Sequence, residues 1–177
     1  MDDITIQAGA TAFGDGAHPT TSGVLAALEA IDPDAFSPRI AADIGAGSGI
    51  LALAIAARFA CPVIASDIER QAVEIMQENF AASPYASVLT ALYADGFNHP
   101  ELQTRLFDLI VMNILAEPLL SLAAAAESQL APEGVLILSG LLVWQEAQIR
   151  SAYQSLGLEL SARLTVGDWV TLVWQKP

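Results

Sequence analysis

A length of 177 residues is typical of one domain, so we expect a single domain over residues 1–177. Seven Lys and Arg residues against 20 Asp and Glu give a net charge of −13, which argues against DNA or RNA as a partner. Hydrophobic residues make up 54% of the chain, but no apolar run approaches the roughly 18 residues that span a membrane. With one cysteine and no secretory signal pattern, the composition predicts a cytoplasmic protein. Its acidity either favours cationic ligands and basic proteins or serves solubility alone.

Strand-like and helix-like segments alternate from residue 20 to the end of the chain. Apolar helical spacing predicts helices over residues 20–31, 50–59, 69–82, 118–130 and 143–156. Short apolar runs predict strands over residues 39–44, 62–66, 87–93, 107–112, 134–139, 158–165 and 169–175. This alternation predicts an α/β fold: a mostly parallel seven-stranded sheet with helices on both faces and a C-terminal antiparallel hairpin. Ligands of such sheets bind at the carboxyl ends of the strands.

The segment AFGDGAHPTT, residues 12–21, precedes the first predicted helix. It has no lysine for a phosphate loop, and because His99 is the only other histidine and no Cys cluster is present, we expect no metal site. Thr20 and Thr21 are predicted to cap the helix. His18 is expected to shape the loop, with a general-base role as the alternative, because histidine titrates near neutral pH.

A glycine-rich turn, DIGAGSGI at residues 43–50, follows the first predicted strand. Ile50 stands where a dinucleotide fingerprint needs its third glycine, and no lysine completes a Walker loop. The pattern D-x-G-x-G-x-G allows a tight turn and lets a ligand lie against bare backbone. The alternative is that the glycines serve the turn alone.

Acidic residues end the second and third predicted strands. Asp67 lies 22 residues after Gly45, where an acidic side chain can accept hydrogen bonds from both hydroxyls of a ribose. A solvated strand end or a helix cap is the alternative for Asp67. Asp95 could accept from an adenine amino group, with Phe97 against the ring, and a plain turn is the alternative there.

Asn113 ends the fourth predicted strand, which is otherwise apolar. A buried amide is costly unless it finds partners, and its oxygen could hold an amine so that the nitrogen lone pair points toward an electrophile. The alternative is a cap on the following helix. A glycine turn, a ribose-binding acid, an adenine-side acid and an amine-orienting asparagine together indicate a site for S-adenosylmethionine. Its methionyl carboxylate would lie near the glycine loop, where backbone N–H groups can meet an anion.

The aromatic residues give a weaker signal. Trp144, Trp169 and Trp174 lie in the last third of the chain, two of them in the predicted hairpin. We predict that they pack in the core and the hairpin, and a substrate cage is the alternative.

Six segments resemble the PrmA family, the methyltransferases of ribosomal protein L11. AFGDGAHPTT resembles the family's AFGTGxHxTT, and DIGAGSGILALA its D-x-G-x-GSGIL-x-IA. SDIE and MNILAEPL resemble its D-I-D and ANILAxPL. SGLL at residues 139–142 is similar to its SGIL, and DWV at 168–170 to its E-W segment. The match runs in the same order over essentially the whole chain.

The resemblance implies a class I methyltransferase fold, S-adenosylmethionine as methyl donor, and methylation of a protein amine, either a lysine ε-amine or an α-amine. By motif position it implies that Thr21 and the flanking loop also contact the donor. Asn113 is the predicted catalytic residue. Together, the residues predicted to bind the cofactor are Phe13, Gly14, Thr21, Asp43, Gly45, Gly47, Asp67, Asp95 and Asn113.

Two departures from the family pattern bear on the acceptor. The family carries an N-terminal domain that recruits the ribosomal protein, whereas eleven residues precede Ala12 here. Asp15 stands where the family has threonine. We expect a protein N-methyltransferase that could act on a ribosomal protein like L11. A small-molecule amine is the alternative acceptor. A catalytically silent S-adenosylmethionine-binding module is the alternative outside the enzymes.

Overall fold

Short apolar strands alternate with helices throughout residues 18–177, the part of the chain that the computed structural model describes. The strands are β1 (Ala41–Ile44), β2 (Val63–Asp67), β3 (Leu89–Tyr93), β4 (Phe107–Asn113), β5 (Leu130–Leu142), β6 (Glu159–Val166) and β7 (Trp169–Gln175). The helices are α1 (Pro19–Ala30), α2 (Ile50–Phe59), α3 (Arg70–Ala82), α4 (Pro100–Gln103), α5 (Ala116–Ser121), α6 (Ala123–Gln129) and α7 (Glu146–Ser155). Short 3₁₀ turns lie at Ala86–Val88 and Val143–Gln145.

All seven strands form one sheet in the order β3-β2-β1-β4-β5-β7-β6. Strands β1 to β5 pair in parallel, whereas β7 is antiparallel to both β5 and β6. The predicted mostly parallel sheet with a C-terminal antiparallel hairpin is therefore confirmed. Because β1 pairs with both β2 and β4, the strand order reverses at β1, and the crevice beyond the carboxyl ends of β1 and β4 is where such folds bind ligands.

Helices cover both faces of the central strands, which explains why a strand such as β4 is almost continuously apolar, whereas the edge strand β6 is largely exposed. Side chains of α1, α2 and α3, such as Val24, pack on one face. Side chains of α4 to α7, such as Leu119, pack on the other. Successive strand residues point to opposite faces, so Val111 joins the first core and Met112 the second. Within residues 18–177, no helix combines the length and apolar content that a membrane-spanning segment requires.

The first helix begins differently from the sequence prediction. Thr20 and Thr21 do not cap it: they lie inside α1 with only 5% and 2% of their surface exposed. His18 is the N-cap, and its Nδ1 accepts from the N–H of Thr20 at 3.4 Å. Pro19 occupies the first helical position, where its fixed φ and missing N–H are well tolerated.

The predicted helix over residues 118–130 is two helices, α5 and α6, separated at Leu122. Helix α5 begins at Ala116 because Pro118 falls within the first turn, where backbone N–H groups have no helical acceptor. Strand β5 is also longer than predicted, with a register shift between Leu138 and Leu141. This irregularity contains Gly140, which lies against the backbone of Ile114.

The tryptophans divide between core and surface. Trp174 is fully buried and stacks on Tyr153 with 5.8 Å between ring centroids, as the core prediction requires. Trp169 opens β7 in the hairpin. The prediction is wrong for Trp144, which is 77% exposed because it lies on the 3₁₀ turn at the carboxyl edge rather than on a core-facing helix.

Candidate functional site

The glycine-rich turn after β1 is fastened to the end of β2. The N–H of Gly45 donates to the carbonyl of Ser66 at 2.8 Å. The N–H of Gly47 donates to Oδ2 of Asp67, also at 2.8 Å. Helix α2 then begins without a side-chain cap, so its first-turn N–H groups point toward this edge. The turn and the end of β2 are thus joined by hydrogen bonds.

Asp67 also contacts the start of α3. Its Oδ1 accepts from the N–H of Glu69 at 2.9 Å, so the capping alternative is partly observed, although Glu69 itself is the N-cap. Each carboxylate oxygen has two lone pairs. With one used on each side by the backbone, Asp67 can still accept two hydroxyl groups at the strand end.

Asp43 is the most unusual charge at this edge. Its side chain is 1% exposed, and neither carboxylate oxygen has a hydrogen-bond partner among residues 18–177. Burial raises the pKa of Asp43 to about 7. The nearby backbone of Ala52 lowers this pKa in part, although it does not form a hydrogen bond of normal geometry, and the negative charge of Asp67 raises it further. Because a buried polar group without partners is costly, Asp43 is a candidate for binding a cationic or hydrogen-bonding ligand.

Asn113 ends β4 opposite Ser139 of β5 and is partly exposed at the carboxyl edge. It does not cap α5, because that helix begins at Ala116 with Leu115 as its N-cap. The structural alternative raised by the sequence is therefore wrong, and the amide remains available at the edge for an acceptor.

Ile114 holds the Asn113 segment between two glycines. A Cβ on Gly45 would collide with Cγ2 of Ile114, and a Cβ on Gly140 would collide with its backbone carbonyl. Both glycines also have left-handed φ angles, +75° and +86°, which favour glycine. The glycine turn, the Asn113 segment and the irregular part of β5 therefore pack in direct contact.

A buried hydroxyl network attaches the first turn of α1 to the same region. Ser139 Oγ lies 2.9 Å from Thr171 Oγ1 and donates to the carbonyl of Thr20 at 3.2 Å. A Cβ on Gly23 would collide with Thr171 Oγ1, so α1 lies tightly against β7. Because Ser139 pairs with Asn113, this network brings the end of the AFGDGAHPTT segment close to the end of β4. Sequence reasoning missed it, although Ser139 and Gly140 both fall in the matched SGLL segment.

A groove of about 280 Å³ opens beside the segment that follows Asn113. It is lined by Leu115, Ala116, Glu117, Gly140, Leu142, Gln145 and Trp169. His18 packs edge-on against Trp169 at 5.1 Å between ring centroids, and its Nδ1 lies 2.8 Å from Thr20 Oγ1. His18 therefore contacts both the start of α1 and Trp169, which lines the groove.

The remaining predicted residues have different surroundings. Asp95 is exposed, and its carbonyl accepts from the N–H of Asn98 at 3.0 Å, so a turn is present there. Phe97 is 4% exposed within the core and leaves little ring surface for an adenine. Thr21 is buried inside α1. The predictions for Phe13 and Gly14 lie outside the described residues.

The edge is acidic in its described part. Asp43, Asp67, Asp95 and Glu117 lie at or near the carboxyl ends of β1, β2, β3 and β4, and none forms an ion pair with residues 18–177. Among residues 18–177, no group of three or more His, Cys, Asp and Glu side chains could hold a metal ion. The arrangement suits a cationic organic ligand.

Comparison with known proteins gives the family. The family model described as ribosomal protein L11 methyltransferase (PrmA) matches residues 3–177. Ribosomal protein L11 methyltransferases of Chelativorans sp. (strain BNC1) and Brucella abortus (strain S19) are 43% identical over 162 residues and 42% identical over 170. These matches cover 91% and 96% of this chain but 56% and 59% of the relatives, so the chain spans less than three fifths of their length.

A solved structure agrees with these matches. The ribosomal protein L11 methylase of Lactobacillus delbrueckii subsp. bulgaricus is 30% identical and superimposes with a TM-score of 0.79. The superposition covers 92% of this chain and 81% of that one. The sheet order is that of a class I methyltransferase, and the family model covers nearly the whole chain. The chain therefore belongs to the PrmA family of ribosomal protein L11 methyltransferases.

Proposed function

We propose that this chain is the methyl-transferring part of an S-adenosylmethionine-dependent N-methyltransferase that acts on a protein amino group. The observation that carries the proposal is the contact of Ile114 with Gly45 and Gly140, because it places Asn113 beside the glycine turn. That residues 1–177 form one donor-binding domain is part of the proposal. The continuous sheet of residues 18–177 supports it.

The residues of the carboxyl edge fit this donor. Asp67 would accept the ribose hydroxyls, and Asp95 the adenine amino group. The backbone of Gly45 and Gly47 would lie against the methionyl part, with the buried carboxylate of Asp43 satisfied by its ammonium group. When bound, S-adenosylmethionine would supply an electrophilic methyl group on a positively charged sulfur.

Three further residues complete the proposed donor site by their motif positions. Phe13, Gly14 and Thr21 belong to the segment that ends at the first turn of α1. The network of Ser139 and Thr171 holds this turn against β5 and β7, which supports a location beside the donor. The carboxylates of this edge would attract the cationic donor.

Asn113 would orient the acceptor. Its amide oxygen accepts a hydrogen bond from the amine N–H, so that the nitrogen lone pair points toward the methyl group. The amine must be unprotonated to attack, but transfer from so reactive a donor needs approach and alignment more than a strong base. Asn113 is therefore the proposed catalytic residue, acting through position.

The acceptor class follows from the relatives, which are named for ribosomal protein L11. We propose a protein amine, with ribosomal protein L11 as the first candidate. The test is transfer of labelled methyl from S-adenosylmethionine into purified L11 and into a fractionated lysate. Label in protein supports the proposal. Label only in small molecules would assign a small-molecule amine, and donor binding without any transfer would assign a silent module.

Asn113→Ala tests the proposed role of the amide in methyl transfer. We expect turnover to fall by about 100-fold, because misplaced reactants lose rate steeply, and donor affinity to fall by a smaller factor. Steady-state transfer and calorimetry of donor binding measure the two quantities separately. An unchanged turnover number would remove Asn113 from the mechanism.

A further inference from the structure

Three large apolar side chains are exposed next to the groove. Trp144 is 77% exposed, Leu115 69% and Val143 41%. We propose that these three residues, the Trp144 patch, bind an apolar side chain that flanks the acceptor amine in a cationic protein segment. The inference rests on the proposed function, since it names the chemistry of the acceptor that Asn113 would receive.

The patch lies on fixed backbone. The N–H of Val143 donates to the carbonyl of Asp168 at 2.9 Å, which joins the 3₁₀ turn to the hairpin. The side chain of Gln145 closes the turn by accepting from the N–H of Leu142 at 2.8 Å. A tryptophan exposed on an ordered turn loses little conformational entropy when a partner covers it. Such an apolar surface in a polar surround is typical of interaction sites.

The position of the patch relates it to the acceptor rather than to the donor. Leu115 lines the groove and lies two residues after Asn113. On the opposite side, Leu142 and Gln145 line the groove and flank Val143 and Trp144 in the chain. An amine held at Asn113 would therefore extend its neighbouring residues through the groove and across the patch.

The negative charge beside the groove favours a cationic segment as the partner of the Trp144 patch. Among the lining residues within 18–177, Glu117 is the only charged side chain, and it is exposed. A cationic segment is complementary to Glu117, and its cations are also attracted to the face of an indole. A second copy of this chain is disfavoured because each copy carries a net charge of −13.

The test uses short acetylated peptides with one lysine in a Gly-Ser background, labelled with a fluorophore at the C terminus. One peptide has leucine on both sides of the lysine and the other has serine. Anisotropy is measured with the full chain saturated with S-adenosylhomocysteine. We expect the leucine peptide to bind about tenfold more tightly than the serine peptide.

Two substitutions make the result specific. Trp144→Ser should abolish the tenfold preference, whereas Leu106→Ser should retain it. Leu106 is also exposed, at 53%, but it lies directly before β4, at the amino edge of the sheet. Equal affinity for both peptides, or a preference that survives Trp144→Ser, would overturn the proposal. A dimer that is lost in Trp144→Ser would also overturn it and would assign the patch to a second copy. So would a blue-shifted difference between the emission of the free native monomer and that of Trp144→Ser, which would assign the patch to residues 1–17.

This outcome is separable from that of the proposed function. The peptide experiment measures binding without turnover, so it can fail while labelled methyl still enters proteins. Conversely, absence of transfer would refute the methyltransferase without changing a measured peptide preference.

Discussion

The two edges of the sheet differ in whether selected charged side chains are paired within the protein. At the amino edge, the carboxylate of Asp108 at the start of β4 accepts from the backbone N–H of Arg39 at 2.8 Å and pairs with its guanidinium at 2.9 Å. Lys176 at the end of β7 pairs with Glu127 at 2.8 Å and donates to the carbonyl of Leu130 at 3.0 Å. These charges are all satisfied by the protein, and they fasten strand ends together.

At the carboxyl edge, by contrast, Asp43, Asp67, Asp95 and Glu117 have no ion-pair partner among residues 18–177. The contrast is clearest between Asp108 and Asp43. Burial raises the pKa of Asp108, but hydrogen bonds from Arg39 outweigh it and lower the pKa. Burial raises the pKa of Asp43 to about 7 with no cation to compensate. We infer that the amino edge serves stability, whereas the carboxyl edge gives up stability for ligand binding.

The largest expected effect is that of Asp67→Ala on donor binding. Two ribose hydrogen bonds to a charged acceptor contribute roughly 3–6 kcal/mol, so affinity should fall by about 10²–10⁴-fold. Isothermal titration with S-adenosylmethionine measures the loss. Unchanged affinity would refute the ribose assignment.

Asp108→Ala is the control from the other edge. It removes a carboxylate that accepts from the N–H groups of Arg39 and Ile40, so the unfolding midpoint in urea should fall. Donor affinity should remain within about twofold, because Asp108 lies at the opposite end of β4. If both variants lost affinity equally, the functional distinction between the edges would be wrong.

The next effect is on the segment that carries Asn113. Gly140→Ala would place a Cβ against the backbone of Ile114 at a φ of +86°, which displaces Ile114 and with it Asn113. We expect turnover to fall by about 100-fold, since a misplacement of 1 Å at a site has that size of effect. Methyl transfer at saturating donor measures it.

Gly157→Ala separates this contact from backbone strain. Gly157 has a φ of +87°, but an added Cβ would meet no atom within 4 Å. Both variants bear the left-handed cost of about 1–2 kcal/mol, which urea unfolding reports. Only Gly140→Ala should lose turnover. Equal turnover in the two variants would show that contact with Ile114 does not position Asn113.

The sequence predicts what is local. Short apolar runs separated by segments of helical spacing predicted the mostly parallel sheet. The ends of these runs placed Asp67 and Asn113 at the same edge, because the carboxyl ends of parallel strands meet there. The direct hydrogen bond between Gly47 and Asp67 is a finding of the structure that their spacing in the sequence did not predict.

What the sequence could not predict depends on packing between distant segments. The contact of Thr20 with Ser139 joins residues 119 apart, and nothing local specifies it. The exposure of Trp144 depends on where β5 ends, and strand ends are poorly encoded by hydrophobic pattern. Likewise, the isolation of Asp43 from hydrogen-bond donors appears only when α2 and the neighbouring strands are in place.

The smallest effect concerns pH and the Asp43 carboxylate. Its pKa is raised from 3.8 to about 7, so its contribution to stability is present below pH 4 and is lost as pH rises toward 7, opposite to Asp108. If the ionised form binds the donor's ammonium group, affinity should rise about tenfold between pH 6 and 8. Asp43→Asn should remove that rise while leaving the donor's own titration in place. Calorimetry in buffers of different ionisation enthalpy adds a second readout, because donor binding near pH 6 should release about one proton in the native chain and fewer in Asp43→Asn. Identical pH profiles for the two proteins would mean that Asp43 stays neutral in the complex and acts only as a hydrogen-bonding group.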